Sequence, residues 1–131
     1  MNKPKIVTDY WIGNITEEQE IDNVDVTNFN NVFNRLDASR YTMVVITNID
    51  DKEFVIGGGK GRYVVYCAYD EQEFMNLVRD EPAEGYITLF IGGQEGDYPS
   101  RQVVGKEQAR KAGEYFIKTG ELDPEQKWEE G

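Results

Sequence analysis

The sequence predicts an α+β fold: a mostly antiparallel sheet with two helices packed on it. Three observations carry this. Runs of branched and aromatic residues recur as strand-sized blocks. Two stretches place apolar residues at helical spacing. The order is strand, helix, a group of strands, helix, which does not alternate as βαβ units would.

Residues 5–11, KIVTDYW, read as the first strand, and the polar stretch GNITEEQEIDNVD that follows reads as a connection with a short strand or turn. In DVTNFNNVFNRLDASR, Phe29, Val32, Phe33 and Leu36 recur at i, i+3, i+4 and i+7, one face of a helix. Asp25 or Thr27 caps its start. YTMVVITNI, residues 41–49, is a nearly continuous apolar run typical of a central strand, which Asp50 and Asp51 end. EFVIGG and RYVVYCAY flank a glycine cluster and read as a hairpin. DEQEFMNLVRDEPAEG is ambiguous, with Phe74, Leu77 and Val78 at helical spacing in a short run. YITLFIGG is a further strand, and QEGDYPSR reads as a polar loop. In GKEQARKAGEYFIKTG, Ala109, Ala112, Gly113 and Phe116 make a flat helical face, with Gly120 where a C-terminal cap belongs. The tail ELDPEQKWEEG holds a lone Trp128, expected to dock on the domain.

The 131 residues suit one domain, taken as residues 1–131. Sixteen aromatic residues (8 Tyr, 6 Phe, 2 Trp) suffice for a core without disulfides or metals. The single Cys67 fits a reducing compartment, and no signal peptide or membrane span is evident, so the expected location is cytoplasmic. The net charge of −11 argues against direct binding to nucleic acid or to an anionic membrane. With no histidine, the common triads and the Cys-His zinc sites are excluded.

The glycine cluster invites a phosphate-loop reading, which its spacing refuses. A Walker loop needs Ser or Thr after the lysine, but Lys60 is followed by Gly61 and Arg62. The sixth position of a dinucleotide fingerprint is also Arg62, and the loop leads into a strand rather than a helix. A hairpin turn is the better reading. Cys67 lies in an alternating strand without an activating base, so it reads as a buried structural thiol. No catalytic, cofactor or metal residues are expected.

FVIGGGKGRYVVY, then FIGGQEGDYPSRQVV, then QARKAGEYFIKTGELDPEQKWEE resemble, over roughly the last 80 residues, the first-numbered immunity-protein family of bacterial polymorphic toxin systems. The glycine-rich turn and the closing pattern of Phe116, Gly120, Pro124 and Trp128 carry the resemblance, and those motif residues look structural. It implies a non-enzymatic inhibitor of a toxin domain encoded by a neighbouring gene, often a nucleic-acid deaminase. Such a toxin has a basic groove, which an acidic protein suits.

The expected contacts are loop carboxylates with flanking tyrosines: Tyr69, Asp70, Glu71 and Glu73 after the central hairpin, and Glu95, Asp97 and Tyr98 after the next strand. They form one acidic edge if those two strands are parallel neighbours. Two other classes remain open, an acidic DNA mimic and a small enzyme or ligand-binding domain.

Overall fold

A computed structural model describes residues 3–68 and 74–131 of the chain. In chain order the elements are β1 (Lys5–Ile12), β2 (Ile15–Ile21), α1 (Val26–Phe33), β3 (Met43–Thr47), β4 (Glu53–Gly59), β5 (Arg62–Ala68), β6 (Phe74–Val78), β7 (Tyr86–Ile91), β8 (Gln94–Pro99), α2 (Lys106–Thr119) and β9 (Lys127–Glu130). Seven strands form one antiparallel sheet in the order β2-β1-β3-β4-β5-β6-β9. β7 and β8 form a separate two-stranded hairpin. The expected α+β architecture, with both helices on a mostly antiparallel sheet, is the one observed.

Alternation along the strands makes one face of the sheet apolar. Val44 and Ile46 of β3, Phe54 and Ile56 of β4, and Tyr63, Val65 and Cys67 of β5 join one buried cluster with the helices. Helix α1 contributes Phe29, Val32 and Phe33, and α2 contributes Ala109, Ala112 and Phe116. The flat face of α2, expected to let it lie close to a sheet, admits a helix at Gly113: a Cβ there would lie 2.3 Å from Cζ of Phe29 of α1, so that ring fills the space. Asp25 caps α1, its Oδ1 accepting from Asn28 N at 2.7 Å. Helix α1 is shorter than the periodicity predicts. Leu36 stays buried but follows a tighter turn, its N–H bonding to Phe33 O at 3.1 Å. Gly120 closes α2 with φ 74°. Burial raises the Cys67 thiol to about 11, which holds it protonated and unreactive.

The glycine cluster is a turn. Gly59 pairs with Arg62 across Lys60 and Gly61, and the Gly58 N–H donates to Thr42 O at 2.9 Å.

Outside the β7–β8 hairpin, three stretches differ from their sequence reading. The polar connection after β1 contains the full strand β2. The ambiguous stretch with Phe74, Leu77 and Val78 is strand β6, not helix. The charged tail ends in a strand, β9. The last two share a cause: Leu77 stands opposite Trp128 in the β6–β9 pair, and this long-range pairing overrides local spacing.

Trp128 docks as expected. Its ring meets Phe54 edge-on at 6.3 Å, and Nε1–H donates to Asp123 O at 3.0 Å. Because Trp128 is only half-buried, Trp128→Ala is expected to cost about 2–3 kcal/mol, below the ~3–5 kcal/mol of a fully buried tryptophan. Urea unfolding measures this; an unchanged midpoint would mean that the tail does not hold the domain.

Candidate functional site

The second face of the sheet positions the β7–β8 hairpin. Val64 of β5 and Leu89 of β7 pack with Val103, flanked by Ile87, Ile91 and Tyr98. Gly57 lies under Ile91, where a Cβ would come within 2.6 Å of Cγ2, so the lack of a side chain lets the hairpin approach. At the hairpin tip, a Cβ on Gly93 would fall 2.2 Å from the Trp11 ring, so the indole lies directly on the Gly93 backbone.

A buried carboxylate fastens that tip. Asp9, on the same face of β1 as Trp11, is 7% exposed. Its Oδ1 accepts from Thr42 N at 2.7 Å and Met43 N at 3.1 Å. Its Oδ2 accepts from Trp11 Nε1 at 2.7 Å and from the Thr42 hydroxyl. The Thr42 Oγ1 in turn accepts from Gly92 N at 2.9 Å. One side chain therefore ties β1, the start of β3 and the hairpin turn. In the sequence Asp9 is only one residue of a strand. Nothing local marks it, because most of its partners lie more than thirty positions away.

Register decides which hairpin residues reach solvent. Ile87 pairs with Tyr98 and Leu89 with Gly96 on the inner face. Tyr86 with Pro99, Thr88 with Asp97, and Phe90 with Glu95 form the outer face. Glu95 and Asp97 are exposed there, two positions apart and side by side. The Thr88 hydroxyl donates to Asp97 Oδ1 at 2.6 Å and holds it in place. Glu95 takes part in no ion pair among the described residues. Tyr86 is 73% exposed, and Phe90 is half-buried opposite Glu95.

Several expectations are corrected here. Residues 94–99 are a strand, not a loop; the signal was the Gly92-Gly93 pair, a hairpin turn between two runs. Tyr98 turns inward onto the apolar cluster, and burial raises its phenol above the usual range. Tyr86 and Phe90 take the outward aromatic positions instead. The two strands in question are not parallel neighbours: β5 lies between β4 and β6 in the large sheet, and β7 pairs only with β8. Tyr69, Asp70, Glu71 and Glu73 lie outside the described residues.

A cleft of about 470 Å³ beside α2 is lined by charged residues that answer one another. Arg110 pairs with Glu107 and Glu114, and Lys111 with Glu125. Among the described residues, no helix is long and apolar enough to cross a membrane. A family model described as “Immunity protein Imm1” matches residues 18–130.

Proposed function

We propose, since the chain belongs to the Imm1 immunity-protein family, that it neutralises its toxin by seating the outer face of the β7–β8 hairpin on a basic toxin surface. The immunity role and a toxin partner come with the family. The finer reading is a cytoplasmic inhibitor without chemistry of its own, acting on a toxin domain encoded beside it. That toxin binds nucleic acid, with a deaminase as the first candidate, and its active site is covered. The observation that carries this reading is the hairpin's outer face, where exposed Glu95 stands opposite Phe90 and exposed Asp97 opposite Thr88, with Tyr86 at the far end. Carboxylates take up arginine forks with strong, directional bonds. Exposed Tyr86 and half-buried Phe90 add contact area at low entropic cost. The net charge of −11 speeds encounter with a basic groove. Asp70, Glu71 and Glu73, flanked by Tyr69, stay in the proposal as a second acidic group.

The test is the association rate with the neighbouring toxin domain as a function of ionic strength. Association is expected to slow at least tenfold from low to high salt, while dissociation changes less. Glu95→Lys and Asp97→Lys are expected to slow association several-fold at low salt, with melting unchanged. A flat salt dependence, with full protection by both variants, would rule out the hairpin and electrostatic steering as the means of inhibition.

A further inference from the structure

We infer that the free edge of β2 receives an extended, lysine- or arginine-rich segment of the toxin as an added strand; this rests on the toxin-binding reading above.

β2 ends the seven-stranded sheet and pairs with β1 without a break, from Ile21 opposite Ile6 to Ile15 opposite Ile12. The two-residue turn of Gly13 and Asn14 makes Ile12 and Ile15 a hydrogen-bonded pair. Alternation from that pair turns the N–H and C=O of Thr16, Glu18 and Glu20 away from β1. The partner strand agrees: Trp11, opposite Thr16, sends its N–H the other way, to Arg40 O at 2.9 Å. Among the described residues, no backbone bond meets β2 on its outer side.

Edge strands are usually guarded by shortness, lysine, proline or a bulge. β9, at the other end of the sheet, has four residues and carries Lys127, and its Glu129 is held by Arg101 at 2.9 Å. β2 has seven residues, ITEEQEI, with no lysine, proline or bulge. Its guard is negative charge. Glu17, Glu18 and Glu20 are exposed, and among the described residues only Glu20 forms an ion pair, with Lys5 at 3.5 Å.

This charge selects the occupant. A second copy of β2 would set carboxylate against carboxylate, which destabilises a strand pair, whereas a basic strand would set opposite charges across it. Main-chain bonds would supply affinity and the alternating glutamates specificity. The edge also lies on the side of the hairpin. Glu18 stands opposite Asp9 and Thr16 opposite Trp11, the ring that covers the hairpin tip at Gly93. One partner can therefore engage both surfaces.

The experiment measures the Kd of the full chain for the toxin domain encoded beside it. Glu18→Pro removes the central outward N–H and leaves the bonds to β1; Glu18→Thr keeps the N–H and removes the charge. Glu18→Pro is expected to weaken binding at least tenfold with melting unchanged, and Glu18→Thr only several-fold, mainly at low salt. Should proline also lower melting, amide exchange of the wild-type complex decides: the Thr16, Glu18 and Glu20 amides are expected to slow at least tenfold on binding. If the wild type does not bind this toxin, the toxin-binding reading and the edge inference fall together. Tight wild-type binding with those three amides still in fast exchange, or with Glu18→Pro binding equally well, overturns the edge inference alone.

Discussion

Gly59→Val is expected to destabilise the protein by about 3–5 kcal/mol, a large part of a typical domain's ~5–15 kcal/mol. Two costs combine. Gly59 has φ 153°, in the region that L side chains rarely adopt, and a β-branched residue is the worst fit there. A Cβ would also lie 2.5 Å from Ala38 N and 2.7 Å from the Asp37 carbonyl carbon. These are backbone atoms and cannot swing aside. The loop they belong to is itself fixed, because Asp37 Oδ1 accepts from the N–H groups of Ser39, Arg40 and Tyr41 at 2.9–3.1 Å. Burial would raise the Asp37 carboxyl, but those N–H groups hold it below the usual range. Gly58→Val should behave alike, since a Cβ there meets Arg62 O at 2.2 Å with φ 115°. Gly61→Ala is the control: nothing lies within 4 Å of its Cβ position, so only the cost of positive φ, about 1 kcal/mol, remains. Urea midpoints for the variants decide. Equal losses at Gly59 and Gly61 would show that close backbone approach does not matter in this turn.

The elements legible in the sequence are those whose signal is local. The α2 face, the apolar run of β3 and the β4–β5 hairpin each carry their period within a short window. β2 was not legible as a full strand because an edge strand exposed on both sides needs no alternation. β8 contains Glu, Gly, Asp and Pro, which are poor strand formers, and is held by pairing with β7. β6 and β9 exist through each other, and no window contains both. The proposed contact surface is half legible. The exposure of the carboxylates Glu95 and Asp97 follows from residue type alone. The choice between Tyr98 and Tyr86 depends on register, because a one-residue shift moves a side chain to the opposite face. The Asp9 hub was hidden because its meaning lies in Thr42 and Gly92, which a linear reading leaves far away.

Asp9→Ala is the second large effect, expected to cost about 3–5 kcal/mol. The wild-type carboxylate is buried with no salt-bridge partner among the described residues, and its four acceptor contacts make that burial tolerable. Removing it leaves the N–H groups of Thr42, Met43 and Trp11 Nε1 without acceptors, each loss worth about 1–3 kcal/mol where water cannot reach. The sum is held below simple addition because water enters the space and the Thr42 hydroxyl can turn. Asp9→Asn should cost less: its oxygen still accepts from Thr42 N and Met43 N. Its amide group, however, places a donor against the Trp11 donor. The consequences reach the hairpin. Without Asp9, the Thr42 hydroxyl is no longer aimed, and its bond from Gly92 N loosens. The Trp11 indole loses the anchor that keeps it on Gly93. Faster amide exchange at Gly92 and Gly93 should therefore accompany the drop in melting temperature. In Asp9→Asn, which stays folded, toxin affinity should fall by more than the unfolded fraction explains. An Asp9→Ala protein that melts like the wild type, with unchanged exchange at Gly92, would show that the apolar contacts of Leu89, Ile91 and Val64 hold the hairpin without the carboxylate.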